Sequence, residues 1–129
     1  MREDRAVETA GKMSEALETL ERARGHLYSF HQLVGEADFA LDDVLAGLRA
    51  DGPSELADAL QRDLVGRNVI EGRWTFQIME EYDDTYWSAV RAAERSVREA
   101  LTGGRRHLAE AALKEERRTH GHPHHTREP

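Results

Sequence analysis

Residues 13–48, MSEALETLERARGHLYSFHQLVGEADFALDDVLAGL, decide the fold of this chain. Apolar residues recur at every seventh position, namely Met13, Leu20, Leu27, Val34, Leu41 and Leu48. A second row follows three positions after each of them, at Ala16, Ala23, Phe30, Ala37 and Val44. Since residues three and four apart share a helix face, the two rows predict one long helix from Arg5 to Arg49. Gly25 and Gly35 lie within this helix, because the phase of the rows runs through both.

The chain after this helix is also predicted to be helical. Asp51-Gly52-Pro53 ends the first helix, because Pro suits a first helical turn. Leucines four apart then predict a short helix, and Gly66 is its C-cap. A second long helix begins at Trp74, after a connector, and Thr102-Gly103-Gly104 can end it. The predicted segments are a short helix at Ser54–Val65, a connector at 67–73, a long helix at 74–101 and a weaker helix at 105–118.

These elements predict an all-α fold, an antiparallel hairpin of two long helices with a short connecting helix. A narrow apolar stripe on each helix gives such a hairpin little core of its own, and the near-heptad spacing is typical of bundles. We therefore expect two copies to dimerise into a four-helix bundle. We expect residues 1–119 to form a single helical domain. The Gly-, Pro- and His-rich residues 120–129 are predicted to be a disordered tail.

Composition excludes several classes of protein. The 129 residues carry a net charge of −7, have a mean hydropathy of −0.73 and include no cysteine, so disulfides and cysteine nucleophiles are excluded. An acidic chain without a basic stripe predicts no nucleic-acid partner. No apolar run reaches the roughly 18 residues of a membrane span, so we expect no membrane partner. The charged segment from Met1 to Thr9 is unlike a secretory signal, and a cytoplasmic location is expected.

Polar residues that interrupt the apolar rows indicate where a site would lie. If the hairpin turns near residue 62, facing positions add up to about 124, and Asp38 then lies close to Asp83. Glu80 and Asp83 share a helix face. Crowded carboxylates favour a hard divalent cation, so Asp38, Glu80 and Asp83 are candidate ligands of Mg²⁺ or Mn²⁺. The alternative is that Glu80 and Asp83 reach water or pair with Arg67 or Arg73.

Three further groups are candidate site residues. His31 is expected near Glu94 and is a candidate general base, the alternative being an ordinary interhelical hydrogen bond. Arg67 and Arg73 flank the start of the Trp74 helix and are candidate ligands of an anion or phosphate group. The alternative for both arginines is an ion pair with nearby carboxylates. The tail histidines could bind transition metals weakly, or they could form a spacer.

Short motifs resemble parts of known families. The run from Glu80 to Asp84 resembles the ExxD half of the all-helical nucleotide pyrophosphatases, whose EExxE half is absent here. The Arg24 and His31 spacing resembles the Arg-x4–6-His pattern of HEPN-type ribonucleases. The segments LYSFHQLVGEADFALDD (27–43) and GRNVIEGRWTFQIMEEYDDTYW (66–87) resemble small all-helical bacterial proteins. That last resemblance implies a helical fold and brings no activity or functional residues with it.

Two classes of function follow from this reading. The leading hypothesis is a non-enzymatic helical bundle that acts as a homodimeric scaffold or binds a protein partner. The alternative is a metal-dependent hydrolase of phosphate esters or nucleotides, with His31 as base and Arg67 or Arg73 on the phosphate. A ribonuclease that uses Arg24 and His31 is a third reading.

Overall fold

The computed structural model describes residues 2–128 and is all-α, as predicted. The first helix, α1, is continuous through both of its central glycines, which confirms the long helix. The predicted second long helix contains a π-helical turn. In the described part of the chain, none of the helices combines the length and the apolar character that crossing a bilayer requires. The helices are α1 at Arg2–Asp51, α2 at Ser54–Asp63, α3 at Thr75–Tyr82, the π-helical turn at Asp83–Trp87, α4 at Ser88–Thr102 and α5 at Leu108–Arg117.

The chain divides into two compact units, and residues 23–84 form one of them. This hairpin unit contains the second half of α1, then α2 and α3. It turns sharply at Gly52-Pro53, where the Gly52 N–H donates to the Leu48 carbonyl at 2.9 Å. Helix α2 begins immediately afterwards, and Arg49 Nη1 bonds Asp58 Oδ1 at 2.9 Å across the turn. Helix α2 is therefore the first part of the returning leg.

The turn position corrects the predicted pairing of the two legs. Side-chain hydrogen bonds join α1 to the returning leg at the pairs 24/83, 31/75, 49/58 and 38/66, whose positions add up to between 104 and 107 rather than 124. The prediction treated α2 as a bridge across the end of the hairpin. Pro53 instead starts α2 within two residues of α1, so α2 already runs back along it. The predicted neighbours of Asp38 and His31 are shifted accordingly.

Burial along α1 shows which rows pack in the hairpin unit. The row that contains Leu27, Val34 and Leu41 is half-buried, as expected. Its packed companion is the row four positions away, which ends at the buried Leu45. The predicted companion row is exposed instead, with Phe30 at 44 % and Val44 at 47 %. The packed face therefore includes Arg24, His31 and Asp38, and we call these three residues the polar row.

Residues 2–22 and 85–128 form the second unit, which combines the first part of α1 with α4 and α5. Helix α4 ends as predicted, because Gly103 adopts the left-handed conformation with φ of 63°. The Thr102 side chain is buried, and its hydroxyl lies 2.8 Å from the Arg98 carbonyl. A Cβ on Gly11 would lie 3.0 Å from the Ala109 Cβ, so glycine permits a close approach of α5 to α1. Residues 118–128 contain turns and no helix.

Candidate functional site

The first member of the polar row, Arg24, forms a two-pronged ion pair with Asp83. Its Nε lies 2.7 Å from Asp83 Oδ1, and its Nη2 lies 2.9 Å from Oδ2. This fork geometry is the strong form of the arginine–carboxylate pair. The hydrogen bonds raise the pKa of Arg24 and hold the pKa of the Asp83 carboxyl below its usual range. Asp83 thus remains ionised and its charge is compensated by the arginine.

The second member, His31, bonds the first residue of α3. Its Nδ1 lies 2.7 Å from the Thr75 hydroxyl oxygen. The imidazole ring also contacts two aromatic rings edge-on, that of Phe76 at 5.4 Å and that of Tyr28 at 6.0 Å between centroids. His31 therefore joins α1 to the start of α3 through a hydroxyl. The carboxylate expected beside it, Glu94, lies in α4 with Arg98 as an ion-pair partner.

The third member, Asp38, accepts a backbone hydrogen bond. Its Oδ1 receives the Gly66 N–H at 2.9 Å, just after the end of α2. Gly66 has φ of 72°, a left-handed conformation that suits glycine at a helix end. Helix α2 ends at Asp63 with Leu64 as its C-cap, so the predicted C-cap at Gly66 is wrong by two residues. Gly66 lies in the turn that follows, where a side chain of α1 holds it. The acceptor function of Asp38 serves the local chain rather than a cation.

The carboxylates expected to bind Mg²⁺ or Mn²⁺ are not brought together. Asp83 pairs with Arg24, Asp38 receives the Gly66 N–H, and Glu80 is exposed. Between residues 2 and 128 no group of three or more His, Cys, Asp or Glu side chains is placed to hold a metal ion. The hydrolase hypothesis therefore lacks its ligand set in this geometry. The ribonuclease reading meets a similar obstacle, because the Arg24 guanidinium is engaged by a carboxylate.

The two arginines expected to bind an anion lie on exposed chain before α3. Arg73 Nε lies 2.9 Å from Glu81 Oε1, and its Nη1 donates to the Gly72 carbonyl at 3.1 Å. Arg67 is exposed and its backbone N–H bonds the Leu64 carbonyl. The neighbouring Trp74 is 65 % exposed. The pairing of Arg73 matches the ion-pair alternative, with Glu81 as the carboxylate.

The tail after α5 is held by Glu115 and Arg118. Arg118 and His120 both bond the Glu115 carboxylate, and these hydrogen bonds lower the pKa of Glu115 to about 2. Arg118 Nη1 also donates to the His125 carbonyl at 3.1 Å. The His122 and His125 rings lie 4.3 Å apart between centroids. The disorder expected for residues 120–129 stays a prediction, and Pro129 lies outside the described residues.

A cleft of about 240 Å³ lies within the unit formed by residues 2–22 and 85–128. Its lining includes Glu94 and Arg98, whose side chains are each 12 % exposed and lie 3.8 Å apart. The Arg98 Nε is buried and has no hydrogen-bond partner within residues 2–128. An unsatisfied buried donor costs roughly 1–3 kcal/mol, and more when it is charged. His107 also lines the cleft, and its backbone is left-handed with φ of 59°.

Sequence reasoning missed the cleft and found part of the polar row. The sequence indicates all three members of the row as candidate site residues, but the shifted pairing of the two legs gives them different partners from those predicted. For the cleft, Glu94 was singled out as a partner for His31. Arg98, four residues later on the same helix face, was the available signal, because that spacing predicts an ion pair.

Comparison with known proteins identifies no family for this chain. Neither the protein-family models, nor the curated proteins, nor the solved structures contain a match to it.

Proposed function

We propose that this chain is a non-enzymatic helical interaction protein whose hairpin unit pairs with a second copy of itself. The observation that carries the proposal is the balance of burial in residues 23–84. Three hydrophobic residues are buried there, while eleven large apolar side chains are more than a third exposed. A core this small gives a unit of this size little stability by itself. Association with a second copy would cover apolar surface that the hairpin leaves in water.

One row of exposed residues on α1 has the spacing of a second helix–helix packing surface. Its members alternate by three and four residues, the pattern of knobs-into-holes packing. It runs for about 36 Å along the helix at 1.5 Å per residue. We call it the outer row, and its members are Ala23, His26, Phe30, Leu33, Ala37, Ala40, Val44 and Gly47.

The outer row is complementary to itself when two copies run antiparallel. With a twofold axis at the level of residue 35, Phe30 faces Ala40 of the second copy. Leu33 likewise faces Ala37 of the second copy, and Ala23 faces Gly47. Phe30 and Leu33 each meet an alanine, as interdigitation of two helices requires, and His26 faces Val44 of the second copy. An interface that repeats the same patch on both partners is the commonest form of homodimer.

The experiment measures the mass of the protein in solution and introduces a charge on one of two apolar faces of α1. Sedimentation equilibrium of the full chain should give a mass that rises with concentration toward twice 14.6 kDa. Phe30→Glu places a charge in the outer row and should keep the chain monomeric. Phe39→Glu is the matched control, because Phe39 is 78 % exposed on another face of α1. It should dimerise like the parent chain.

A swap of large and small residues tests the pairing itself. Ala40→Phe alone should weaken the dimer, because two phenyl rings then face each other. The double variant Phe30→Ala/Ala40→Phe exchanges the two positions and should restore association. A monomeric parent chain, or a dimer that Phe30→Glu and Phe39→Glu weaken equally, would contradict the proposal. Mass above the monomer only in the presence of another protein would favour a partner-binding protein instead.

A further inference from the structure

The cleft beside α4 contains charge that the proposed dimer does not use. Its volume of about 240 Å³ is the space of about eight water molecules, which suits a small organic or inorganic ion. All of its lining residues belong to the unit formed by residues 2–22 and 85–128. The outer row from Ala23 to Gly47 belongs to the hairpin unit. The cleft is therefore a separate feature of the molecule.

Arg98 is the unusual group in the cleft. Its guanidinium has a buried Nε–H with no acceptor within residues 2–128. The nearest carboxylate oxygen, from Glu94, lies 3.8 Å from that nitrogen and is beyond hydrogen-bond distance. Buried polar groups almost always have a partner, so a buried charged donor without one indicates a missing acceptor. An arginine fork matches the geometry of a carboxylate or a phosphate.

The surroundings of Arg98 favour an anion of low charge. The lining contains five arginines, from α4 and from the chain between α4 and α5. It also contains four glutamates, two of them, Glu18 and Glu21, on α1. The excess of positive charge is small, so a highly charged polyanion such as a nucleoside triphosphate is disfavoured. His107 supports the same location, because left-handed backbone in a residue other than glycine is strained and such strain clusters at ligand sites.

We infer that this cleft binds a small oxyanion, a phosphate or carboxylate group, with Arg98 as its buried anchor. On binding, the Arg98 side chain turns so that its unpartnered Nε–H meets the ligand oxygen, and the other arginines of the lining balance the remaining charge. Glu94 competes with the ligand for the same guanidinium. Ligand binding thus supplies the acceptor that the unliganded cleft lacks.

Titration calorimetry of the full chain at low ionic strength tests the inference with two probes, inorganic phosphate and malonate. At least one probe should bind with a dissociation constant in the millimolar range or below. Arg98→Gln should weaken that binding at least tenfold, and Glu94→Gln should strengthen it. The exposed pair of Arg62 and Asp63 supplies matched controls, because Arg62→Gln and Asp63→Asn change the same charges outside the cleft. Neither control should alter the affinity more than twofold.

Circular dichroism of each variant separates loss of the site from loss of the fold. If Arg98→Gln is unfolded, Ser14→Leu provides a second test, because Ser14 lines the cleft and leucine fills it without changing charge. Binding should be lost in that variant. Phe30→Glu should bind the probes like the parent chain, whether or not the dimer proposal holds. No binding of either probe, or equal weakening by Arg98→Gln and Arg62→Gln, would overturn the inference.

Discussion

Removal of the charge on Asp83 is the most direct test of the packed face of α1. Asp83→Asn retains the shape of the side chain and leaves the Arg24 guanidinium with an uncharged acceptor. Hydrogen bonds to charged groups contribute about 1.5–3 kcal/mol when they are shielded from water. Arg24 and Asp83 are 35 % and 32 % exposed, so solvent screens part of their interaction. Exposed ion pairs contribute about 0.2–1 kcal/mol, and we therefore expect a coupling free energy near 1 kcal/mol.

A double-mutant cycle separates this coupling from the free-energy cost of leaving one charged side chain unpaired in a single variant. Urea unfolding of the parent, Arg24→Gln, Asp83→Asn and the double variant gives the four free energies that the cycle needs. All four are measured at one protein concentration, because association would change apparent stability. The same cycle on Arg62 and Asp63, whose pair is 71 % and 62 % exposed, should show no measurable coupling. A coupling for Arg24 and Asp83 below about 0.3 kcal/mol would refute the assigned importance of the pair.

The pH dependence of the pair has a defined sign. The pKa of the Asp83 carboxyl is lower in the folded chain than in the unfolded chain, chiefly because Arg24 donates hydrogen bonds to it. The pair therefore stabilises the fold fully above the ordinary carboxyl range near pH 4. This stabilisation is lost as the pH falls through the lower pKa of the folded state. The Asp83→Asn variant should lose less stability than the parent chain over that acidic interval, and an equal loss would contradict the assignment.

Four further predictions concern other parts of the chain. Gly103→Ala should lower the free energy of unfolding by about 1 kcal/mol, because its φ of 63° is left-handed. Gly25→Ala, in open helical chain, should raise it by about 0.5–1 kcal/mol. Asp38→Ala should cost about 0.5–1.5 kcal/mol in urea unfolding because the Gly66 N–H loses its acceptor, whereas Asp38→Asn should cost less. NMR titration should show that Glu115 ionises near pH 2, and Arg118→Gln should move this pKa upward.

The helices were predictable because periodicity is a local signal. The row from Met13 to Leu48 specified α1 through Gly25 and Gly35, since glycine costs too little to break a helix that packs along its length. Apolar periodicity does not identify which companion row packs. The competing row contains Phe30, Val44 and three alanines. The row that packs has leucines only at its two ends, Leu17 and Leu45, with three polar residues between them.

The pairing of the two legs was not predictable from periodicity. The apolar rows face each other for any position of the turn between residues 50 and 66. Apolar periodicity therefore does not determine where the turn lies. Gly52 and Pro53 contained the necessary information, because together they form a turn short enough for α2 to return at once. The contacts of Arg24, His31 and Asp38 depended on this choice. The cleft at Arg98 depended on tertiary packing of α1 against α4 and α5, which no local pattern encodes.

The three members of the polar row differ in what they bond, and this difference distinguishes one alignment of the hairpin from all others. Leucines that recur every seven residues are interchangeable, so a leg that slips along α1 by one heptad meets the same apolar surface again. Arg24 requires a carboxylate, His31 a hydroxyl and Asp38 a backbone N–H. A slip of seven residues would separate all three from these partners at once and would leave the Arg24 guanidinium away from Asp83. The polar groups thus specify how the two legs of the hairpin align, which the repetitive apolar rows alone do not.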